Sequence, residues 1–394
     1  MKKEMYRALG LMSGTSMDGV DASIICSVDG KKYIQQENKN QYFEYDKALY
    51  QKLTNLRDKI SVSNDLIKYD DELKLVQKEI TLFHAKVANI MINATTEWEL
   101  DIIGFHGQTI FHNPDEKISV QLGDGKLLSQ LTKKIVVYDF RQNDLKNGGQ
   151  GAPLTPIFHN YLIRNIQFNY WPVLILNIGG ISNVTSVVKS QNIFLQKDDK
   201  DIKIFAGDVA PGNCLIDEWI RKKSKYKYDK DGLIAKSGNI NKLILNQAVD
   251  NFLSRDNYEF KSLDIKDFDI SFVKGLSLED GAATLTHFTA KLIEEGLIHF
   301  MSKKYSSKLN TLLESTCLVC GGGRKNKYLM DILKKNLNIK ELSLIDEYGH
   351  DGDFIESEAF GYLAIRTFLN LPISFPNTTG CKEPTIGGVI VKNF

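Results

Sequence analysis

A unit of apolar strand, glycine turn and second strand occurs twice in this chain and limits the folds that it can adopt. It occurs first in LMSGTSMDGVD, where an apolar run from Ala8 to Met12 precedes the turn and VDASIICSV follows it. It occurs again over 173–188, where VLILNIG leads into Gly179 and Gly180 and SNVTSVV follows. Short strands on both sides of a glycine turn predict a β-hairpin. Two such hairpins far apart in the chain indicate two related lobes.

The rest of the chain alternates between helical and strand patterns. Apolar residues step by three and four between Asn64 and Ile92, which is the period of an amphipathic helix. A long helical stretch, EDGAATLTHFTAKLIEEGLIHFMSKK, precedes the strand TCLVCGGG. A length of 394 residues suits two or three domains, and we expect two. The order indicates a mixed α/β fold, in which chain crossings rather than a flexible linker join the lobes.

Charge and composition exclude several classes of partner. Lys and Arg total 50 and Asp and Glu total 49, so the net charge of +1 favours neither nucleic acid nor an anionic membrane. Ser13 and Gly14 interrupt the first apolar run, which is too short for a signal peptide, and no run approaches a membrane span. Five dispersed cysteines do not form a disulfide framework. We therefore expect a cytoplasmic protein with a small-molecule partner.

Cys317 and Cys320 form one C-x-x-C spacing, which occurs in redox pairs and in halves of zinc sites. No second pair of this kind follows in the sequence. The surrounding TCLVCGGG is typical of a buried strand that runs into glycines. We therefore expect these thiols to pack in the core and predict no protein metal site.

Glycine turns flanked by hydroxyl side chains suit a phosphate ligand. Without Cβ atoms, backbone N–H groups can approach an anion, and Ser and Thr add donors. The P-loop, the dinucleotide-binding fingerprint and the protein-kinase loops are all absent. A nucleotide would therefore be held by one hairpin in each lobe and by a turn at Gly321 to Gly323. Each turn alone is also consistent with an ordinary tight hairpin, but their joint occurrence favours a nucleotide.

Eight segments resemble, in the same order, the anhydro-N-acetylmuramic acid kinase family. The segments are GLMSGTSMDGVD, GFHGQTIFHNP, DFRQNDLKNGGQGAPLTP, LNIGGISNVT, GDVAPGNCLIDEW, GAATLTHFTA, CGGGRKNKYLM and FIESEAFGYLA. They extend from the first hairpin to residue 364, so the resemblance covers nearly the whole chain.

The resemblance implies the two-lobed fold of actin, hexokinase and Hsp70, an actin-like ATPase fold of the ribonuclease H-like class with ATP in the cleft between α/β lobes. We assign 1–137 and 376–394 to the first lobe, with the phosphate-binding hairpin. We assign 138–375 to the second lobe, with the catalytic aspartate and a nucleoside-binding glycine turn. The resemblance also implies a homodimer.

The implied activity is that of a kinase in bacterial peptidoglycan recycling. It uses ATP and Mg²⁺ to open 1,6-anhydro-N-acetylmuramic acid hydrolytically and to phosphorylate O6, giving N-acetylmuramic acid 6-phosphate. Two alternatives remain open. One is a kinase for another sugar, without ring opening, and the other is a nucleotide-switched binding protein of the actin or Hsp70 kind.

The resemblance assigns the ATP phosphates to the first hairpin turn, and we expect the second hairpin turn to meet them from the other lobe. The residues concerned are Gly14, Thr15, Ser16, Met17, Asp18, Gly19, Val20 and Asp21 in the first and Gly179 and Gly180 in the second. Gly321, Gly322 and Gly323 are expected to lie against the nucleoside. Because Mg²⁺ keeps several waters when it bridges phosphates, Asp18 or Asp21 would face it through water rather than as a direct ligand.

Five further residues are candidates for the chemistry and for sugar binding. Ring opening requires a base that takes a proton from water at the anomeric carbon, and Asp208 matches the family's base. Arg141 is the cationic partner expected for the departing oxygen or the phosphoryl group. His106 and Gln108 are candidates for hydrogen bonds to sugar hydroxyls, and Glu356 matches a family position near the sugar. Each also has an ordinary structural interpretation, such as a turn aspartate, a salt-bridged arginine, a buried histidine or a first-turn helix carboxylate.

The segment around the expected base departs from the family pattern. The family usually has Asp-Thr-Gly-Pro-Gly-Asn, whereas this chain has Val209 and Ala210 after Asp208. A hydroxyl is lost at Val209, and Ala210 adds a methyl group where we expect the backbone to approach the γ-phosphate. We therefore expect a changed turnover rate rather than a changed reaction. The charged stretch 191–205 before the base is expected to form a hairpin tip and has no assigned function.

Overall fold

The computed structural model describes residues 5–30, 32–94, 99–164, 166–188, 203–254, 263, 267–305 and 310–394. Most of the predicted charged hairpin tip, residues 191–202, lies outside them. The strands are β1 (Met5–Ser13), β2 (Gly19–Val28), β3 (Lys32–Glu44), β4 (Ile102–Asn113), β5 (Ile118–Leu122), β6 (Ile135–Tyr138), β7 (Val173–Ile178), β8 (Ile181–Val187), β9 (Ile204–Pro211), β10 (Thr316–Cys320), β11 (Glu341–Leu344) and β12 (Val389–Val391).

Helices form most of the remaining regular structure. They are α1 (Lys47–Lys59), α2 (Ser63–Lys68), α3 (Asp70–Asn93), α4 (Gly125–Thr132), α5 (Gln142–Lys146), α6 (Pro156–Ile163), α7 (Cys214–Lys223), α8 (Leu233–Ser237), α9 (Lys242–Leu253), α10 (Leu278–Lys304), α11 (Asn310–Leu313), α12 (Lys327–Asn336), α13 (Ile355–Phe368) and α14 (Pro376–Thr379). Among the described residues, none of these helices combines the length and the apolar character that a bilayer crossing needs.

The chain divides into two compact units that share one strand order. The first unit comprises Met1–Asn165 and Phe354–Phe394, and the second comprises Ile166–Asp353. The strand order is β12-β6-β4-β1-β2-β3 in the first sheet, where β5 also pairs with β4, and β11-β10-β7-β8-β9 in the second. In each sheet a three-stranded antiparallel meander continues through its first strand into two parallel strands. The predicted α/β fold with two related ribonuclease H-like lobes is thus confirmed.

The sheet of the first unit is covered on both faces. Because side chains alternate along a strand, Leu9 and Leu11 of β1 join the core that α1 and α3 also line, while Gly10 faces the opposite way. A Cβ atom on Gly10 would lie 1.8 Å from the carbonyl oxygen of Ser357, so α13 packs directly against the backbone of β1. Gly104 allows the same approach on β4, where a Cβ would lie 2.2 Å from the Phe360 carbonyl oxygen.

The core of the second unit is built by the helices that pack on its sheet. Trp219 of α7 is 2% exposed, and its indole N–H donates to the Leu278 carbonyl at 2.9 Å. Cys317 and Cys320 are buried in β10, as their predicted packing role requires. Burial raises the pKa of Cys317 to about 12, so this thiol stays protonated at neutral pH.

The observed unit boundaries differ from the predicted ones. Residues 138–165 and 354–375, expected in the second lobe, belong to the first unit. The buried carboxylate of Asp144 explains part of this. It accepts hydrogen bonds from the Ser374 hydroxyl at 2.5 Å, the Thr379 hydroxyl at 2.7 Å and the Gly151 N–H at 2.7 Å. The packing of α13 on β1 and β4 returns the chain to the first unit at Phe354.

Two predicted elements have different limits in the structure. The helix expected between Asn64 and Ile92 is divided at Tyr69 into α2 and α3, because the backbone of Tyr69 leaves the helical region with φ −109° and ψ 23°. The strand expected to end at Asp208 continues to Pro211. Strand β3 and helix α1 were not predicted at all.

Candidate functional site

The first hairpin turn presents a small polar surface. Thr15 and Ser16 at its tip are exposed, and the Ser16 hydroxyl donates to Asp18 Oδ1 at 2.6 Å. Met17 points the other way and is 2% exposed, with a left-handed φ of 57°. A Cβ atom on Gly14 would come no closer than 3.8 Å to another group, the Ser16 hydroxyl. The turn therefore offers an open approach to its backbone on the side away from Met17, as an anion site requires.

Two hydrogen bonds from other elements hold this turn at its ends. The Gln108 side-chain amide donates to the Gly14 carbonyl at 2.9 Å. The Tyr45 N–H donates to the Asp18 carbonyl at 2.8 Å. The turn is thus supported from β4 and from the end of β3, although its tip is exposed.

Strand β4 carries a β-bulge where His106 and Gly107 are located. Leu11 aligns with Phe105 but Ser13 aligns with Gln108, so β4 has one extra residue in this interval. Gly107 has a φ of 73°, and a Cβ there would lie 2.5 Å from the Leu122 carbonyl oxygen. Bulges of this kind change the direction of neighbouring side chains and are frequent next to active sites.

The bulge brings His106 into contact with Arg141. His106 Nδ1 is 2.8 Å from the Gly107 carbonyl, and its Nε2 is 2.9 Å from Arg141 Nη2. Arg141 Nη1 also donates to the Gly151 carbonyl at 2.8 Å. Burial, together with the Arg141 charge, lowers the pKa of His106 well below its usual value. A neutral ring that donates from Nδ1 and accepts at Nε2 satisfies both contacts, so His106 orients Arg141.

This arrangement favours the buried-histidine interpretation of His106 over the predicted contact with sugar hydroxyls, because protein groups occupy both ring nitrogens. Gln108 differs in this respect. Its side chain is fully buried, and within the described residues its Oε1 has no hydrogen-bond partner. An orphan acceptor in a buried amide is costly unless a ligand or water satisfies it. Gln108 Oε1 is therefore a buried acceptor that the described residues leave unsatisfied, and the predicted sugar contact of Gln108 stays a prediction.

A pocket of about 200 Å³ lies beside His106 in the first unit. It is lined by Phe105, His106, Gly107, Ser119, Val120, Gln121, Gly123, Tyr138, Asp139 and Gln142. Asp139 has an unusual left-handed φ of 55°, and burial raises the pKa of its carboxyl. The mixture of amide, hydroxyl and carboxyl groups suits a polar ligand.

Glu356 lies in the first turn of α13 and is half-buried. Its neighbour Ser357 contacts Gly10 of β1, three residues before the end of that strand. The helix macrodipole favours a carboxylate at this position. The first unit therefore carries Glu356 on a helix that packs against β1 and β4, Arg141 in contact with His106 of β4, and the first turn at the end of β1.

Asp208 in the second unit lies on a second β-bulge. Ser182 pairs with Ala210 and Asn183 pairs with Asp208, so Val209 is the extra residue. Asp208 is partly exposed, and its Oδ2 accepts a hydrogen bond from the Leu263 N–H at 2.8 Å. The carboxylate is therefore held in one orientation.

The same bulge turns inward the two residues that differ from the family pattern, Val209 and Ala210. Val209 is 1% exposed and Ala210 is fully buried, and both belong to the core of the second unit. The predicted position of the Ala210 methyl group, where backbone would approach a phosphate, is therefore wrong. The methyl group packs in the core, so the departures from the family pattern affect the support of the bulge rather than its exposed face.

The second hairpin turn contacts the start of α7. The Gly180 carbonyl accepts from the Gly212 N–H at 2.9 Å and the Cys214 N–H at 3.3 Å, and the Gly179 carbonyl accepts from the Asn213 N–H at 2.8 Å. Asn213 is the N-cap residue by position, but its side chain makes no capping hydrogen bond. The turn carbonyls take that role instead.

The turn at Gly321 to Gly323 follows β10 and lies against the end of β7. Gly321 has a φ of 79°, and a Cβ on it would lie 2.2 Å from Asn177 Oδ1. A Cβ on Gly323 would lie 2.2 Å from Ile178 Cγ2, whereas Gly322 has nothing within 4 Å. The turn thus packs on β7 through its first and third glycines and leaves the middle one open, as a ligand-facing backbone requires.

The side chain of Arg324 supports this turn. It donates to the Gly321 carbonyl at 3.1 Å and forms a bidentate pair with Asp346 at 2.8 and 2.9 Å. It also pairs with Asp353 at 2.5 Å. The planar guanidinium of Arg324 holds its carboxylate partners in a defined geometry and also balances their charge.

Two groups of predicted site residues emerge, one in each unit. The first contains the Gly14–Asp18 turn with Gln108, His106, Arg141 and Glu356. The second contains Asp208 and the turns at 179–180 and 321–323. Within the described part of the chain, no cluster of three or more His, Cys, Asp or Glu side chains is arranged to hold a metal ion.

Sequence reasoning did not identify several residues of these groups. Asp139, Gln121 and Gln142 in the pocket and Arg324 beside the glycine turn were not predicted. The adjacency of Arg324 to CGGG was the available signal for one of them. Contacts between distant positions, such as Arg324 with Asp346, have no local pattern in the sequence.

Comparison with known proteins gives a consistent result. The family model "AnmK: Anhydro-N-acetylmuramic acid kinase" matches residues 6–393. A protein of Pelagibacter ubique named anhydro-N-acetylmuramic acid kinase is 52% identical over 395 residues, covering 100% of each chain. Relatives with the same name in Zymomonas mobilis and Brucella canis are 38% and 36% identical, and each match covers at least 97% of this chain and 99% of the relative.

Proposed function

Because the chain belongs to the anhydro-N-acetylmuramic acid kinase family, we propose that it uses ATP to convert 1,6-anhydro-N-acetylmuramic acid to N-acetylmuramic acid 6-phosphate. In this reaction water attacks the anomeric carbon and the bond from that carbon to O6 breaks. O6 takes the γ-phosphoryl group, and ADP leaves. The proposal includes Mg²⁺ bound with the nucleotide, a homodimeric protein and a cytoplasmic role in peptidoglycan recycling.

The observation that carries the proposal is the setting of Asp208. A β-bulge directs this carboxylate to the exposed face of β9, and the Leu263 N–H holds one of its oxygens. We assign this carboxylate as the acceptor for a proton from the attacking water. A positioned general base contributes about 10²–10⁴-fold to the rate of such a step.

Arg141 is assigned to the negative charge that develops on O6 and on the phosphoryl group. Its guanidinium is oriented by the His106 ring and by the Gly151 carbonyl. Because His106 is neutral, it orients Arg141 without adding a competing positive charge. Preorganised donors of this kind stabilise a transition state without reorganisation at the moment of reaction.

The remaining residues are assigned to binding. The Gly14–Asp18 turn, with Thr15 and Ser16 exposed, is the proposed site of the ATP phosphates. The Gly179–Gly180 and Gly321–Gly323 turns are assigned to the phosphates and the nucleoside. Gln108 and Glu356 are assigned to the amino sugar. The polar pocket beside His106 offers further donors and acceptors for that sugar.

The proposal is tested by supplying ATP and 1,6-anhydro-N-acetylmuramic acid in ¹⁸O-labelled water. The wild-type protein should form the 6-phosphate with label at the anomeric hydroxyl. Asp208→Asn should lower kcat by about 10²–10⁴-fold, because an amide cannot accept the proton. Asp250→Asn, on the exposed side of α9 in the same unit, is the matched control and should retain full activity.

Equal rates for Asp208→Asn and the wild type would remove Asp208 from its role. Phosphorylation of N-acetylmuramic acid without turnover of the anhydro sugar would identify a kinase without ring opening. ATP binding without phosphorylation of either sugar would identify a nucleotide-switched binding protein.

A further inference from the structure

A buried polar cluster lies under the first hairpin turn and has no role in the function proposed above. It consists of the side chains of Ser13, Tyr45 and His84, which are 1%, 4% and 0% exposed. The Ser13 hydroxyl is 2.8 Å from the Tyr45 hydroxyl and 3.2 Å from His84 Nε2. Three polar side chains in an otherwise apolar core are costly unless they are fully hydrogen-bonded.

The direction of each hydrogen bond in this cluster follows from the outermost one. His84 Nδ1 lies 2.8 Å from the Ile80 carbonyl, which can only accept, so Nδ1 carries the proton. His84 Nε2 then accepts from the Ser13 hydroxyl, and the Tyr45 hydroxyl donates to Ser13. Burial lowers the pKa of His84 to about 4 and raises that of Tyr45, so these protonation states persist at neutral pH.

The cluster is connected to both ends of the turn. Ser13 directly precedes Gly14, the first residue of the turn. At the other end, the Tyr45 backbone N–H donates to the Asp18 carbonyl at 2.8 Å. A single residue, Tyr45, therefore contacts the chain before the turn through its hydroxyl and the last residue of the turn through its backbone. Helix α3 supplies the third member, His84, as a fixed support.

We propose that the Tyr45, Ser13 and His84 chain of hydrogen bonds positions the Gly14–Asp18 turn for the phosphates of the nucleotide. The proposal rests on the assignment of this turn to ATP. These residues act through the turn backbone and do not touch the ligand. Removing the Tyr45 hydroxyl leaves the Ser13 hydroxyl with its hydrogen bond to His84 but without the one from Tyr45. The backbone that leads into Gly14 is then held less firmly.

A second tyrosine–serine pair supplies a matched control. The Tyr305 hydroxyl lies 2.5 Å from the Ser186 hydroxyl in the second unit, on β8 and at the end of α10. Both pairs are largely or fully buried, and Tyr→Phe removes the same hydroxyl group from each. Tyr305→Phe therefore reports the general cost of this change, and Tyr45→Phe reports that cost together with any effect on the turn.

The experiment measures binding of ATP and of adenosine by calorimetry, with KM and kcat for ATP, in the wild type and both variants. Tyr45→Phe should weaken ATP binding and raise KM about five- to tenfold, the loss expected for roughly one hydrogen bond. Adenosine binding should change less than about twofold, because adenosine has no phosphates. The value of kcat should also change less than about twofold. Tyr305→Phe should change none of these quantities more than about twofold.

A second variant keeps the test decisive if Tyr45→Phe folds poorly. Ser13→Ala removes the central hydroxyl and should produce the same selective loss of ATP affinity. The double variant should bind ATP no more weakly than Ser13→Ala alone, since both changes break one chain of hydrogen bonds.

Three results would overturn the inference. They are equal losses of ATP and adenosine affinity in Tyr45→Phe, the same behaviour of Tyr45→Phe and Tyr305→Phe, and additive effects in the double variant. A wild-type protein that binds no ATP would overturn the proposed function as well, so the two failures are distinguishable.

Discussion

The two hairpin turns occupy the same place in two sheets of the same strand order, but they are held by different means. The turn at Gly14 to Asp18 is supported mainly by side chains, through Gln108 on the Gly14 carbonyl and the hydroxyl chain that ends at His84, with one backbone hydrogen bond from Tyr45 to Asp18. The turn at 179–180 is supported by backbone, since its carbonyls accept N–H groups at the start of α7.

This difference shows that the strand order sets the position of each turn, whereas side-chain hydrogen bonds add support that is specific to the first turn. The repeated strand order places a turn at the end of the first strand in each unit. The backbone contact in the second unit is intrinsic to the helix start, which always has unsatisfied N–H groups. The side-chain contacts in the first unit are specific to its residues, and they leave the exposed face of the turn available to a ligand.

The largest difference in the free energy of unfolding is expected between two glycine-to-alanine variants, one beside the second turn and one in the first turn. Gly212→Ala would put a Cβ atom 2.1 Å from the Gly179 carbonyl oxygen, a backbone atom that cannot move aside, and should lower the free energy of unfolding by about 3 kcal/mol or more. Gly14→Ala meets nothing closer than 3.8 Å and should change it by no more than about 1 kcal/mol. Urea unfolding followed by circular dichroism measures both.

The KM for ATP of Gly14→Ala gives a second test of the difference between the two turns. Gly14→Ala should keep its fold but raise KM for ATP about tenfold, because the added methyl group would obstruct the proposed approach of a phosphate to this backbone. A stable Gly212→Ala protein, or an unstable Gly14→Ala protein, would contradict the proposed difference in support.

A smaller effect is expected on the free energy of unfolding at acid pH, through His84 beneath the first turn. The pKa of His84 is about 4 in the folded protein against 6.5 when unperturbed, so between these values the unfolded chain binds a proton that the folded chain does not. The free energy of unfolding therefore falls as pH drops from about 6.5 to about 4. His84→Gln should make this dependence shallower by about 1.4 kcal/mol per pH unit, measured by urea unfolding at several pH values.

The matched pair in the second unit again provides the control. Tyr305→Phe removes a buried hydroxyl but no histidine, so its pH dependence should equal that of the wild type. His159, with a pKa lowered to about 3 by burial, retains its own contribution in every variant. An unchanged slope in His84→Gln would show that His84 is not buried as a neutral ring.

The smallest effect is expected at the tip of the first turn. Ser16 is exposed, and its hydroxyl donates a hydrogen bond to Asp18 in the same turn. Ser16→Ala should change the free energy of unfolding by less than about 0.5 kcal/mol. It should weaken ATP binding by less than about tenfold, since backbone donors remain. A larger loss of stability would mean that the tip, and not its buried support, holds the turn.

Several elements were predictable from the sequence because their signals are local. The strand and turn patterns around Gly14 and Gly179 predicted both hairpins, which are confirmed as β1–β2 and β7–β8. The helical periodicity of EDGAATLTHFTAKLIEEGLIHFMSKK corresponds to α10, and the apolar run before CGGG corresponds to β10. The assigned roles of Asp208, Arg141 and the other site residues remain predictions for the experiments above.

Other features had no local signal. The bulges at His106–Gly107 and at Val209 depend on which residue of a neighbouring strand each one faces, and this register is not visible in a single strand. The boundary at Phe354 depends on Gly10 and Gly104, which let α13 approach the first sheet. The His84 support is 71 residues away from Ser13 in the chain.

Strand alternation, helix periodicity and ordered motifs are properties of neighbouring residues, so the α/β class, the repeated hairpins and the family were predictable before folding. The folded structure was needed to show which buried polar groups meet under the first turn, how His106 orients Arg141 and which residues return to the first unit. Those contacts join residues far apart in the chain, and their energies depend on burial and geometry that arise only when the sheets and helices pack.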